Sequence, residues 1–200
     1  MRDTLTSVVA AALFMAAACL WACSGGDNSH APAVPRAKAF PRPYDYGRSY
    51  RTVDSLPLHL EANTNATVRL TPQGADIIYP RYRATIHVSS LTLPSDDPCA
   101  IARELDGRRQ RIALNLGQAR AEELTLPNDG AMEVSLVRAA TAIPTPLQMV
   151  ATDSRRHIVT ATAFVDFMPS VSATDSLAPG IDALAADITH LAKTLRPGTR

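Results

Sequence analysis

An amphipathic helix near the C-terminus is the feature that most restricts the fold of this 200-residue chain. Its apolar residues recur at helical spacing and form one stripe: Ile181, Leu184, Ala185, Ile188, Leu191 and Leu195. Asp175 or Ser176 suits the N-cap, and Pro179 is expected in the first turn. Acids precede bases along the segment, which complements the helix dipole: Asp182, Asp187, Lys193 and Arg196. A helix over about 177–195 is therefore predicted, and its stripe must be buried against another element.

A second helix is predicted over about 98–119, after a breaker cluster in which Asp96 and Asp97 suit a helix start. Its apolar positions share one helical face: Ile101, Leu105, Ile112, Leu116 and Ala119. Gly107 costs roughly 1 kcal/mol inside a helix. Arg108 falls near the centre of the apolar stripe, so its guanidinium must extend to solvent or the helix breaks there.

Alternation of apolar and polar residues predicts strands between and before the helices. The clearest segment is 82–89, and further strands are predicted at 66–70, 132–139, 147–152 and 157–167. The turn at 153–156 joins the last two strands as a hairpin. These elements predict a single α+β domain, with an antiparallel sheet of about five to seven strands packed by the two main helices.

The N-terminus has the pattern of a bacterial lipoprotein signal. Arg2 is followed by an uncharged, alanine-rich apolar run that ends in Leu20-Trp21-Ala22-Cys23. A small Ala22 lets the peptidase reach the bond, and the Cys23 thiol accepts the lipid. We therefore expect a signal peptide at 1–22, a lipidated N-terminus with a Pro-rich tether at 23–43, and the folded domain at 44–197. The alternatives are an uncleaved membrane anchor, or cleavage before Cys19.

Composition argues against several kinds of function. Twenty basic and 19 acidic residues leave a net charge of +1, so no nucleic-acid partner is predicted. Three cysteines are too few for a disulfide framework, and Cys99, the lone thiol of the domain, is expected to be a small buried apolar residue. No metal or cofactor site is predicted, because the five histidines are scattered without ligand spacing: His30, His59, His87, His157 and His190.

Local motifs have alternative interpretations. Asp153, Ser154 and His157 suggest a hydrolase, but three residues of one short turn cannot readily stack into a catalytic relay, so we expect them to shape the hairpin. A basic cluster on the first helix is expected to be a solvated face rather than a site for lipid headgroups or an acidic partner: Arg103, Arg108, Arg109 and Arg111.

Two triplets, 54–56 and 175–177, read Asp-Ser-Leu and are similar to a bacterial O-glycosylation pattern of Asp, then Ser or Thr, then an aliphatic residue. Ser55 is a possible acceptor. The second triplet is expected to be mainly structural, because it also fits a helix cap.

The chain resembles the gliding-motility lipoproteins of the GldD type from Bacteroidetes. The resemblance rests on an ordered set of segments in the C-terminal half: 145–154 with His157, 163–167, 175–179 and 187–191. Upstream, Pro41-Arg42-Pro43 and Tyr79-Pro80-Arg81-Tyr82 fit the same family. The chain departs from the family in its scarcity of aromatic residues, in the helix after Cys99 and in the stretch after Arg120.

The resemblance implies a non-enzymatic lipoprotein of the cell envelope, with no catalytic residues to carry over. Its role would be that of an accessory component of the gliding-motility and type IX secretion apparatus. The expected partners are the membrane, through palmitate and the other acyl chains on Cys23, and envelope proteins of that machinery. The domain is expected to face the periplasm, with inner or outer membrane left open. The alternative function is a periplasmic lipoprotein that binds a lipid or small ligand in an apolar cavity.

Overall fold

The computed structural model describes residues 47–53, 58–141, 143–166 and 173–198, with side chains described from residue 178 onward in the last range. The described residues form an α+β domain, as predicted. The predicted signal peptide (1–22), lipidated Cys23, the tether (23–43) and Ser55 lie outside the described residues. Within the described part of the chain, no helix is long and apolar enough to cross a membrane.

Ten strands and two helices are described, together with a short 3-10 turn at Pro80–Tyr82. The strands are β1 (Tyr50–Val53), β2 (Leu58–Asn63), β3 (Thr67–Thr71), β4 (Gly74–Tyr79), β5 (Ala84–Thr92), β6 (Ala121–Leu126), β7 (Glu133–Ala139), β8 (Leu147–Thr152), β9 (His157–Val165) and β10 (Arg196–Pro197). The helices are α1 (Pro98–Leu116) and α2 (Ala173–Thr194).

The strands form two antiparallel sheets. Seven of them lie in the order β3-β4-β5-β9-β8-β7-β6, and the remaining three form a small sheet in the order β1-β2-β10. The size of the large sheet agrees with the prediction, but β4, β6 and a separate small sheet were not predicted. The sequence of β6, Ala-Glu-Glu-Leu-Thr-Leu, has no clear alternation because this edge strand is exposed along almost its whole length.

Helix α2 packs on one face of the large sheet, where the main core lies. Leu184, Ile188 and Leu191 are buried there against alternate residues of the central strands. Ala161 and Ala163 of β9 and Ala151 of β8 are fully buried. Small side chains on the central strands let the Leu and Ile side chains of α2 approach the sheet closely, so close packing is reached with few aromatic residues.

Helix α1 packs on the opposite face, where Ile101 is buried against Val150 of β8 and Ile158 of β9. Its first residue is Pro98, and the carboxylate of Asp97 accepts a hydrogen bond from the backbone N–H of Cys99 at 2.9 Å, which confirms the predicted cap. The helix ends at Leu116, three residues before the predicted end. The following Gly117 has φ of 57°, a left-handed value that terminates the helix.

Helix α2 begins earlier than predicted. It starts at Ala173, so Pro179 lies inside the helix and the expectation that this proline occupies the first turn was wrong. Its C-terminal end is held by Asn128, whose Nδ2 donates to the carbonyl oxygens of Ala192 at 2.6 Å and Leu195 at 2.9 Å. Arg196, predicted as the last base of the helix, lies instead in β10.

Replacing Gly107 by Ala is expected to stabilise the domain by about 1 kcal/mol, because alanine is the better helix former. A Cβ at this position of α1 meets no atom within 4 Å, so the gain in helix propensity carries no steric cost. Urea unfolding of the two proteins measures the difference.

Gly74→Ala is the matched comparison, since the same added methyl group would lie 2.0 Å from the carbonyl oxygen of Val88. It is expected to destabilise the domain by on the order of 1–3 kcal/mol. Equal effects of the two substitutions would contradict this description of α1.

Candidate functional site

Part of the face of the large sheet that carries α1 is accessible to solvent. We call it the open face and define it by five residues: Ile78, Thr85, His87, Thr162 and Phe164. The register places Ile78, Thr85 and Phe164 side by side across β4, β5 and β9, and places His87 opposite Thr162. The residues that alternate with them point to the core, so the pleat of three central strands presents these side chains together.

Phe164 is the unusual member of the open face. Along β9, Ala161, Ala163 and Val165 are buried, whereas the phenyl group of Phe164 is 45% exposed. In the sequence, this surface could have been recognised from an aromatic residue at a position of a central strand that faces solvent. The sequence predicted a strand over 157–167, but Phe164 was not singled out there as an exposed residue.

An open cavity of about 290 Å³ lies beside Phe164. Its lining comes from the ends of β4, β5 and β9 and from the turn between the first two: Ile78, Tyr79, Pro80, Arg83, Ala84, Thr85, Phe164 and Asp166. At its rim the guanidinium of Arg83 donates to Asp166 Oδ2 at 2.6 Å. The cavity therefore combines an apolar floor with a charged edge.

The next row of the sheet carries an ionic cluster. Asp76 of β4 accepts hydrogen bonds from Arg69 Nη2 at 2.5 Å and from His87 Nδ1 at 2.7 Å. Burial raises the pKa of the Asp76 carboxyl, but the hydrogen bonds and charges of His87 and Arg69 outweigh it and hold the pKa below its ordinary value. Because the carboxylate only accepts, the Nδ1 of His87 carries the proton.

A polar chain links α1 to the sheet next to the open face. Arg108 donates from Nε to Glu104 at 2.9 Å and from Nη1 to Thr160 Oγ1 at 3.2 Å. The Thr160 hydroxyl is also 2.8 Å from Ser89 Oγ. The helix continues through Gly107 without a break, but the Arg108 side chain is only 18% exposed, so the expectation that its guanidinium extends to solvent was wrong. Its charge is met by Glu104 and Thr160 instead.

The open face combines apolar and polar groups. Threonine hydroxyls, a phenyl ring and guanidinium groups lie on a shallow surface, and Asp76 orients the His87 ring. Among the described residues, no three His, Cys, Asp or Glu side chains gather closely enough to hold a metal ion. Apolar area flanked by charged groups is the composition of a protein-contact surface.

The three residues that suggested a hydrolase do meet in one turn, in the arrangement predicted for a hairpin. Asp153 Oδ1 accepts the backbone N–H groups of Arg155, Arg156 and His157, each at 2.9 Å. Ser154 has φ of 57°, and the His157 ring nitrogen Nε2 is 3.9 Å from Asp153 Oδ2. The carboxylate thus shapes the turn, as predicted for a hairpin.

Cys99 is exposed, so the expectation that it is a small buried residue was wrong. It lies in the first turn of α1, where the buried contacts begin with Ile101. The basic cluster of α1 is mostly solvent-facing, as expected, and Arg109 pairs with Asp106 at 3.8 Å.

The charged residue that sequence reasoning most clearly misplaced is Asp187. It was assigned to the helix dipole, but its side chain is buried at the centre of a hydrogen-bond network. The carboxylate accepts from the hydroxyls of Tyr50 at 2.9 Å and Tyr79 at 2.8 Å, and from Asn63 Nδ2 at 3.3 Å. Asp187 thereby connects α2 to β1, β2 and β4.

A second contact reinforces this network. The His190 ring stacks on the Tyr50 ring, with centroids 3.5 Å apart, and its Nε2 lies 2.7 Å from Glu61 Oε2. Burial, followed by the hydrogen bond and charge of Asp187, raises the pKa of Tyr50 to about 12, although Arg48 opposes the rise. The cluster is filled by its own side chains, so we interpret it as a structural junction.

Asp187→Asn is expected to destabilise the domain by about 1–3 kcal/mol, because two tyrosine hydroxyls and an amide lose a charged acceptor. The pKa of Tyr50 should fall from about 12 toward its ordinary value of 10.0. Phenolate absorbance, compared with and without an added Tyr50→Phe substitution, measures this shift. Asp182→Asn removes a 60% exposed carboxylate of the same helix and should change stability by less than about 0.5 kcal/mol.

Asp153 should contribute a pH-dependent part of stability. Burial raises the pKa of its carboxyl, but three backbone N–H donors and His157 outweigh it, so the pKa in the folded state is lowered. The Asp153 carboxylate therefore makes its full contribution to the free energy of unfolding above the pKa that this group has in the unfolded chain. The contribution is lost as the pH falls through the pKa of the group in the folded state. The difference in unfolding free energy between wild type and Asp153→Asn should be about 1–2 kcal/mol at neutral pH and disappear in acid.

The control for this titration is Asp106→Asn, which removes a 68% exposed carboxylate on α1. The unfolding free energy of Asp106→Asn should differ from that of the wild type by close to zero at every pH. A wild-type advantage over Asp153→Asn that grows in acid would contradict the assignment.

Comparison with known proteins assigns the chain to a family. A search of curated proteins found no significant match. The sequence model of the gliding motility lipoprotein GldD matches residues 30–196, which is most of the chain, and confirms the resemblance seen in the sequence. Membership of a lipoprotein family implies a membrane anchor and a location in the cell envelope. The chain belongs to the gliding motility lipoprotein GldD family.

Proposed function

We propose that this protein is a non-enzymatic accessory component of the gliding-motility and type IX secretion apparatus. Cys23 carries the lipid, the Pro-rich segment up to residue 43 is the tether, and the domain faces the periplasm. Three acyl chains on a mature lipoprotein provide stable anchoring, whereas one chain alone binds weakly. Anchoring raises the concentration of the domain near other envelope proteins, so modest contacts suffice for assembly.

The open face is the observation that supports an assembly role most directly. An exposed aromatic ring beside a charged rim on a rigid sheet is a surface that a partner protein can cover. The Asp153 turn supports the non-enzymatic part of the proposal, because its carboxylate is occupied by three backbone donors.

The alternative is a lipoprotein that binds a lipid or a small molecule. Such a protein encloses most of its ligand in a largely apolar cavity, typically of about 300–1,000 Å³. The cavity beside Phe164, about 290 Å³, is at the low end of that range and open to solvent, and an Arg83–Asp166 ion pair lies at its rim. These properties favour contact with a protein segment over enclosure of a ligand.

Deletion of the gene in its native bacterium should abolish colony spreading and reduce secretion of type IX cargo proteins, and wild-type protein supplied in trans should restore both. Cys23→Ser should fail to restore them, because the unlipidated chain is released from the membrane. Ser154→Gly removes the turn hydroxyl at a position with left-handed φ and should restore both fully. Normal spreading and secretion in the deletion strain would refute the role in this apparatus.

Protease protection tests the orientation of the domain. Trypsin should spare the protein in intact cells and degrade it once the outer membrane is permeabilised, because a periplasmic domain is then accessible. Degradation in intact cells would place the domain on the cell surface and contradict the proposed orientation. A known periplasmic protein and a known surface protein, probed in the same samples, serve as controls.

A further inference from the structure

We propose that the open face binds an acidic segment of another envelope protein, with an apolar side chain of that segment inserted beside Phe164. The inference rests on the proposed function, because it names the surface and the partner chemistry through which the protein would join its apparatus.

The apolar part of the inference rests on the row formed by Ile78, Thr85 and Phe164. These residues are cross-strand neighbours and line the cavity of about 290 Å³. That volume is at the low end of small-molecule sites, so it fits a single anchoring side chain better than a whole ligand. A partner side chain seated there would cover the 45% of Phe164 that solvent now reaches.

The inference that the partner is acidic rests on the exposure of the charged side chains around the open face. The cationic side chains extend outward: Arg69, Arg83 and Arg111 are 69%, 65% and 63% exposed. Of the carboxylates bound to them, Asp76 is only 11% exposed and Glu104 33%, although Asp166 is 64% exposed.

The Asp76 and Glu104 carboxylates are mostly covered, whereas Asp166 is as exposed as its partner Arg83. The accessible excess of guanidinium groups therefore comes from Arg69 and Arg111. Charge complementarity consequently points to an acidic partner.

The shape of the site favours a protein segment over a membrane. A bilayer presents a broad surface, whereas the apolar part of the open face is a recess at the ends of β4, β5 and β9. A side chain that projects from a loop or strand can enter this recess, and acidic residues flanking it can then reach Arg69 and Arg83. Binding of anionic lipid vesicles is retained as an outcome of the test.

The binding experiment uses the full lipidated protein in detergent micelles and a synthetic peptide in which glutamates flank one tryptophan. We expect the tryptophan fluorescence to report binding that weakens in high salt, and a peptide with glutamine in place of glutamate to bind at least about tenfold more weakly. Phe164→Ser should weaken binding about tenfold, whereas Leu114→Ser, which removes an 80% exposed leucine of α1, should leave it unchanged.

Two substitutions of opposite charge at one position of the recess separate an effect on binding from an effect on folding. Thr85→Glu and Thr85→Lys place side chains of similar length at the same site. Glu should repel the acidic peptide and weaken binding about tenfold, whereas Lys should retain it. Thermal unfolding of each variant shows whether the domain remains folded.

Several results would overturn the inference: failure of the acidic peptide to bind, equal binding by the folded Phe164→Ser and wild-type proteins, or Phe164-dependent binding of phosphatidylglycerol vesicles without peptide binding. Self-association that Phe164→Ser abolishes would also overturn it, because the occupant would then be a second copy of the chain.

Cells separate this inference from the proposed function. A photo-crosslinking amino acid at Thr162 should capture an envelope protein through an acidic segment that mass spectrometry identifies, and the same group at exposed Ala113 of α1 should not. A folded Phe164→Ser variant should fail to restore spreading to the deletion strain. Full restoration by that variant would refute the docking surface alone, whereas a deletion strain without any defect would refute the proposed function.

Discussion

The buried carboxylate of Asp187 is the constraint on which the arrangement of the domain depends. A charge removed from water must be matched by hydrogen-bond donors, and here the donors come from Tyr50, Asn63 and Tyr79. These residues belong to β1, β2 and β4, so satisfying one carboxylate fixes the small sheet, the large sheet and α2 relative to one another. Apolar packing on this face adds most of the buried area, but it does not by itself specify how the two sheets and α2 are placed relative to one another.

The unequal covering of the large sheet explains where a contact surface can exist. On the inner face, α2 and β2 contribute fully buried side chains such as Ile188 and Leu60, and the central alanines bring α2 close. On the other face, α1 contributes Ile101 as its one fully buried apolar residue and contacts the sheet near Val150 and Ile158. Phe164 remains accessible because it lies beyond that limited contact.

The elements with regular periodicity were predictable from the sequence. The alternation in β5 and β9 and the apolar stripe of α2 each follow from burial on one side. The α+β class and the presence of the two main helices were therefore predicted correctly, although the start of α2 and the end of α1 were not. Turn chemistry around Asp153 was predictable for the same local reason: a short carboxylate side chain reaches the backbone donors of its own turn.

The remaining features depend on contacts that are distant in sequence. Strand β6 is exposed and has no alternation of apolar and polar residues, so it is recognised only from its pairing with β7. Strand β10 contains only two residues and is recognised only from its pairing with β2. Asp187 resembled any acid on a helix, because its donors lie 108 to 137 residues away. The open face could likewise not be predicted from the sequence, because only the register of β4, β5 and β9 places Ile78, Thr85 and Phe164 in one row.

The small sheet has a consequence for the order of folding. Its central strand β2 pairs on one side with β1, the first described strand, and on the other with β10, the last. Loop closure over nearly the whole domain is therefore required before both edges of β2 are satisfied. The domain therefore cannot complete its fold until its last strand is available. A chain that ended before Arg196 would leave one edge of β2 without its partner strand.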